Sequence, residues 1–316
     1  MTEIQITSGQ EKQRFDKFLK KYFKAASGGF LYKMLRKKNI TLNKKKADGS
    51  EILQAGDMIQ VFFSDETFSK MRGQEAVSSE YQKLLQVPHE LQVVYEDDLM
   101  LIVNKPSGML SQKASESDIS LNESILSYLI HEGFLSEETY AVFHPSVANR
   151  LDRNTSGIVL AGKTLAGQQF LSDILRDRSA KKIYHCIVRG KVEEEMHLKG
   201  YLLKDERSNQ VQIFSDETQD AKPIETAYRP LVVGPDATLL EVHLITGRSH
   251  QIRAHLASIG HPIAGDPKYG DMVWNKKLRQ DFSVRSQLLH AYSITLPDGR
   301  TFIADEPEIF SQIMRG

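Results

Sequence analysis

Apolar residues recur along the chain with two different periods, and the points where the period changes divide it into segments. Phe15, Phe18, Leu19 and Tyr22 fall at i, i+3, i+4 and i+7, which predicts one amphipathic helix. Gly28-Gly29 breaks that helix, and Leu31, Met34 and Leu35 predict a second. A short strand follows at 40–42, and Ile59, Val61 and Phe63 alternate as a closing one. Residues 64–90 are polar and mixed, which reads as an interdomain linker with a helical piece at 81–85. Beyond it, 91–95 and 99–104 read as paired strands, with further strands at 157–162, 182–189, 238–244 and 291–296. Helices are predicted at 120–130, 164–178 and 249–259. Strands outnumber helices without a steady βαβ alternation, so the second part is expected to be an α+β domain on a mostly antiparallel mixed sheet.

Composition sharpens this picture mainly through charge. The 316 residues carry 41 Lys+Arg against 41 Asp+Glu, a net charge of zero. Zero net charge by itself argues against a nucleic-acid partner. The sum hides an asymmetry, because residues 11–50 hold thirteen Lys/Arg against three acids, leaving that segment at +10 and the rest at −10. The cations follow the polar faces of the two predicted helices and then the turn Asn43-Lys44-Lys45-Lys46, as a surface that tracks phosphates would. The single cysteine, Cys186, has no partner for an intramolecular disulfide, and the start of the chain has no basic, apolar leader. A cytoplasmic protein with no membrane partner is the expectation.

One motif is misleading. Gly157-Ile-Val-Leu-Ala-Gly162-Lys163-Thr164 matches the phosphate-loop pattern letter for letter. That loop has to be flexible so that its backbone N–H groups can wrap phosphates, whereas Ile-Val-Leu-Ala is a buried strand. No nucleotide cofactor is expected. His250, His255 and His261 share no helical face, and Arg253 would repel a cation, so no metal is expected either.

The polar stretch just before that strand, Asn149-Arg-Leu-Asp-Arg-Asn-Thr-Ser-Gly157, sets Asp152 between two arginines, where the carboxylate form is favoured. A simple salt bridge at a strand end is the bland alternative. A second polar stretch, Thr246-Gly-Arg-Ser-His-Gln-Ile-Arg-Ala-His255, leads into a helix whose buried stripe is Ile252, Leu256 and Ile259, with His250 and Arg253 on a neighbouring face. Two such patches suggest one shared cleft.

Two resemblances cover most of the chain. Arg14-Phe-Asp-Lys-Phe-Leu19, Tyr32-Lys-Met-Leu-Arg-Lys-Lys38, Ile40-Thr-Leu-Asn-Lys44 and Leu53-Gln-Ala-Gly-Asp57 resemble the S4 RNA-binding module. Arg150 to Gly157, Lys182-Ile-Tyr-His-Cys-Ile-Val-Arg-Gly190, Thr246 to Arg253, Gly260-His-Pro-Ile-Ala-Gly-Asp-Pro-Lys-Tyr-Gly270 and the entry Tyr95 to Gly108 resemble the RluA-type pseudouridine synthases. With the S4-like part in front, the chain is similar to the RluC/RluD branch, which implies isomerisation of uridines in large-subunit ribosomal RNA. The implied organisation is an S4-like domain of two helices and a small sheet at 1–63, a linker at 64–90 and a catalytic domain at 91–316. The resemblance implies Asp152 as the catalytic aspartate, Tyr184 as the tyrosine lining the reactive base and Arg253 as the basic partner of the aspartate. It implies that Arg150 opens the RNA stack or holds the flipped nucleotide. RNA contacts are expected at Arg150, Arg153, Arg248 and His250 in the cleft, and at Arg14, Lys17, Lys33, Arg36, Lys37, Lys38 and Lys44 in the basic segment. Asn149 and Asn154 depart from the family, which often has His and a second acid there.

The chemistry suits these residues. Pseudouridine formation breaks C1′–N1, rotates the uracil and forms C1′–C5, with no redox change and no group lost, so no cofactor is expected. It needs an ionised, desolvated carboxylate beside the sugar and a nucleotide flipped out of its stack. The competing readings are a catalytically inactive RNA-binding ribosome-assembly factor on the same fold and a hydrolase with Asp152 as nucleophile. A monomer is expected.

Overall fold

The computed structural model describes residues 1–7, 9–205, 208 and 210–315, apart from the side chains of 74–76. The first sixty residues build their own sheet and core. Strand β1 (Thr2–Gln5) is followed by helices α1 (Phe15–Tyr22) and α2 (Gly28–Arg36) and by β2 (Ile40–Leu42), β3 (Lys45–Lys46) and β4 (Met58–Val61). The antiparallel sheet runs β1-β4-β2-β3. Phe15, Phe18, Leu19 and Tyr22 are all buried, as their spacing predicts. Gly28-Gly29 does not break a helix but opens α2. Ser27 caps it, its Oγ accepting from Phe30 N at 3.2 Å, and α1 has already ended at Phe23.

The polar stretch after this module is two helices, α3 (Asp65–Arg72) and α4 (Gln74–Leu84), turned at Gly73 with φ +65°. They look like a linker in sequence because each buries few residues, and those face opposite ways. Phe68 and Met71 pack on the N-terminal core, and Val77 and Leu84 enter the larger core. The module is docked as well as connected. Val142, from far along the chain, joins the module's apolar cluster, a burial worth roughly 1.5–3 kcal/mol. Beside it Lys24 Nζ donates to His144 Nε2 at 2.9 Å, and Arg72 lies 4.7 Å from the centre of the Tyr22 ring.

The rest of the chain contributes β5 (Val93–Glu96), β6 (Met100–Lys105), α5 (Leu121–His131), α6 (Glu137–Tyr140), β7 (Ser146–Val147), β8 (Ser156–Gly162), α7 (Leu165–Arg176) and β9 (Lys181–Arg189). It continues through β10 (Met196–Asp205), β11 (Gln210–Phe214), β12 (Lys222–Val233), β13 (Ala237–Leu244), α8 (Gln251–Ser258), α9 (Met272–Phe282), β14 (Leu289–Thr295), β15 (Thr301–Ile303) and α10 (Ile309–Arg315). One mixed sheet runs β11-β10-β12-β13-β9-β14-β8-β6-β5, with β15 beside β14 and β7 beside β8. All its pairings are antiparallel except β14 with β8, so the α+β architecture on a mostly antiparallel sheet is as expected.

Alternation along β9 divides its side chains between two cores. Tyr184, Cys186 and Val188 face the large core with Ile252 and Leu256 of α8, and Ile187 joins a smaller one with Leu278, Phe310 and Ile313. The phosphate-loop look-alike is β8, buried along its whole length. Its glycines serve close packing. A Cβ on Gly157, which has φ +109°, would lie 2.3 Å from the Ala291 carbonyl oxygen, and one on Gly162 would lie 2.5 Å from Gln168 Cα at the start of α7. Lys163 donates to Glu96 Oε1 at 2.7 Å and to the Asp97 carbonyl at 2.8 Å, so its ammonium is engaged within the fold.

Candidate active site

Three loops converge on Asp152. The first is the turn before β8. Leu151 is buried and pinned at both backbone groups by Ser111 Oγ, which accepts from its N–H at 3.0 Å and donates to its carbonyl at 2.9 Å. Thr155 N donates to the Asp152 carbonyl at 3.0 Å and closes the turn. Asn149 acts as a piece of strand, its amide bonding to the Ile158 carbonyl at 3.2 Å and to Leu160 N at 2.8 Å. Beneath lies Lys105, fully buried, whose three ammonium protons match three carbonyl oxygens, those of Pro106, Met109 and Arg153, at 2.8–3.0 Å. Burial pulls its pKa down to about 8, opposed by the charge of Asp152.

The second loop joins β13 to α8. Gln251 holds it, accepting from Thr246 Oγ1 at 2.8 Å and Arg248 N at 3.1 Å while donating to the Glu225 carbonyl and Thr226 Oγ1 at 3.0 and 2.9 Å. His250 is not on the helix beside Arg253, as its spacing suggests. It stands just before α8 with φ +55°. The third loop, 262–270, carries Asp266, which is completely buried and receives Arg253 Nε at 2.7 Å, Arg253 Nη2 at 2.9 Å, Lys268 N at 2.8 Å and Tyr269 N at 3.2 Å. A Cβ on Gly270 would lie 2.2 Å from the Asp266 carbonyl oxygen, so that turn requires glycine.

These pieces meet where Arg253 Nη1 donates to Asp152 Oδ2 at 2.7 Å. The guanidinium therefore spans two carboxylates, one sealed in protein and one open to solvent, with 29% of the Asp152 side chain exposed. Burial works against the charge on Arg253, but Asp266 and then Asp152 raise its pKa. Burial also works against the Asp266 anion, yet the hydrogen bonds and charge of Arg253 keep its carboxyl below the ordinary range. Tyr184, on β9 opposite Val242 of β13, is buried, and burial followed by the charge of Asp152 pushes its phenol well above the ordinary value. It therefore stays protonated at neutral pH.

The expected RNA contacts divide into two places. Arg150, Arg153 and Arg248 are exposed on the loops around Asp152. On the N-terminal module Lys17, Lys33, Arg36, Lys37, Lys38 and Lys44 are exposed, and Lys33 and Arg36 line a groove of about 370 Å³ with Tyr32 and Lys46. Arg14 is partly engaged already, pairing with Asp16 at 3.0 and 3.1 Å. The sequence reading missed Lys105, Asp266 and Tyr269 as parts of the site. Asp266 and Tyr269 lie in one quoted motif, but only the fold reveals that they brace Arg253 and His250.

Residues 99–258 match the family described as RNA pseudouridylate synthase. The chain is 31% identical to the ribosomal large subunit pseudouridine synthase C of Haemophilus ducreyi, over 94% of this chain and 88% of that one. It is 33% identical to the protein of that name from Escherichia coli strain K12, over 92% and 87%. Among solved structures, human RNA pseudouridylate synthase domain containing 4 superposes with a TM-score of 0.57 at 17% identity, over 76% of this chain and 96% of that one. The human domain-containing 1 protein gives 0.53 at 20%, over 72% and 96%.

Proposed function

We propose, from the premise that the chain belongs to the RNA pseudouridylate synthase family, that it converts uridines of large-subunit ribosomal RNA to pseudouridine with Asp152 as the catalytic carboxylate. The observation that carries this reading is the pairing of a part-exposed aspartate with a buried arginine that is itself anchored by a second, buried carboxylate. The arrangement orients one carboxylate and leaves part of it open to solvent.

A uridine flipped from its stack brings C1′ to Asp152, which acts on the sugar as C1′–N1 breaks, by attack or by stabilising the positive charge that develops. Arg253 orients the carboxylate, and Tyr184 offers a protonated aromatic surface to the uracil. Arg150, Arg153 and Arg248 hold phosphates around the opening, and the N-terminal module is S4-like and binds RNA through the face that carries Lys33 and Arg36. The comparisons lend no support to an inactive binding factor.

Tritium release from C5-labelled uridine in ribosomal RNA tests the assignment. Wild type is expected to release tritium and Asp152→Asn to release none above background; equal release refutes the role of Asp152. Mapping pseudouridines in ribosomal RNA from cells lacking the protein identifies the positions, and an unchanged map refutes the substrate.

A further inference from the structure

Tyr269 and His250 form a relay that ends on Asp152. Val211 N, on β11, donates to Tyr269 Oη at 2.9 Å, and that oxygen lies 3.0 Å from His250 Nδ1. Val211 N–H takes one of the two lone pairs on the phenol oxygen, and the phenol's own proton can be given to Nδ1. The imidazole proton is then on Nε2, which stands 3.9 Å from Asp152 Oδ2, the same oxygen that Arg253 Nη1 holds at 2.7 Å. The alternative tautomer would set a lone pair against a carboxylate. Among the described residues no donor reaches Oδ1.

The backbone supports this placement. His250 has φ +55°, a conformation rare for a residue with a Cβ, and its side chain makes no cap hydrogen bond to the helix it precedes. The strained turn instead directs a nine-tenths buried imidazole at Asp152. Burial and the nearby Arg253 and Lys268 keep the ring neutral, opposed by Asp152 and Asp266.

We infer that His250, held by Tyr269, is a positioning residue: its Nε2–H is a second donor to Oδ2, so that Arg253 and His250 fix that oxygen from two sides and leave Oδ1 to face the ribose. The inference rests on the reading of Asp152 as the catalytic carboxylate. For Nε2–H to donate, the 3.9 Å gap to Oδ2 shortens to hydrogen-bond distance in the RNA-bound enzyme.

The test uses the full-length chain, steady-state tritium release and His250→Gly, a substitution that the backbone at this position accommodates without strain. The variant is expected to unfold at nearly the wild-type temperature and to lose roughly 10- to 100-fold in kcat with KM within about twofold. Added imidazole is expected to restore a large part of the rate. Tyr269→Phe is expected to lower kcat less, and the double variant to be no slower than His250→Gly. Turnover within about twofold of wild type, a loss confined to KM, or a loss that imidazole leaves unchanged overturns the inference. Asp152→Asn is assayed alongside. If it is inactive, such results count against His250 alone, whereas an active Asp152→Asn removes the reading on which the inference rests.

Discussion

Replacing Asp266 by asparagine is the sharpest probe of the site, because the side chain keeps its shape while losing its charge and one acceptor. The Asn oxygen still accepts from Arg253 Nη2 and from the amides of Lys268 and Tyr269. Its NH₂ replaces the oxygen that received Arg253 Nε at 2.7 Å, so a donor faces a donor. Arg253, 4% exposed, then has Asp152 as its remaining counter-charge. Removing one partner of a buried ion pair costs about 3–5 kcal/mol, and the surviving bond to Asp152 sets the expectation at the lower end, about 3 kcal/mol. Urea denaturation at neutral pH measures this directly, and turnover is expected to fall with it as Arg253 Nη1 loses its fixed position. A companion pair, Arg253→Met with Asp266→Leu, removes both charges, and it is expected to recover part of the stability, the amides of Lys268 and Tyr269 having lost their acceptor, without recovering turnover. The reasoning is refuted if Asp266→Asn costs less than about 1 kcal/mol, or if the apolar pair still turns over at the wild-type rate.

Further expectations follow from other contacts. Lys105→Met removes the donor shared by the part-buried carbonyl oxygens of Pro106, Met109 and Arg153, of which the last keeps Gly108 N, and is expected to cost about 1–3 kcal/mol in denaturant unfolding. His144 resists protonation down to about pH 4 when folded, through burial and the adjacent Lys24, whereas it takes up a proton near pH 6.5 when unfolded. Stability is therefore expected to fall as pH drops from about 6.5 to about 4, by about 1–3 kcal/mol from this group, and His144→Gln to flatten that slope in thermal melts across the window. Lys33→Ala with Arg36→Ala is expected to weaken RNA binding and to reduce the slope of log K against log salt by about 1–2. Those point changes test the module more cleanly than removing residues 1–63, which would uncover Val142, Phe68 and Met71.

Much of the fold was legible because periodicity is a local property. The apolar residues of α1 recur at helical spacing whatever lies around them, and β8 reads as buried from composition alone. That was enough to reject the phosphate loop before its packing was known. Strands β10 to β12 escaped notice because they lie toward one edge of the sheet. There, inward residues such as Leu198, Leu202, Ile224 and Tyr228 alternate with Lys, Glu and Arg, and a proline interrupts β12. The stretch 64–90 misled for a related reason: α3 packs through Phe68 and Met71 and α4 through a short stripe of Val77, Tyr81 and Leu84, each set in an otherwise polar run.

At the site, the sequence alone determined that Asp152 sits among cations at the start of a core strand and that a second cationic stretch opens a helix, and the motif order pointed to the family. Only the tertiary structure decided that Arg253, 101 residues away, reaches Asp152, that a fully buried Asp266 braces it, and that the Tyr269 hydroxyl meets Nδ1 of His250. Local propensity acts over a few residues, whereas a buried ion pair exists only once distant segments are brought together and water is excluded around them. The charges along the chain therefore indicated which groups could act, and the packing of three loops determined which of them meet.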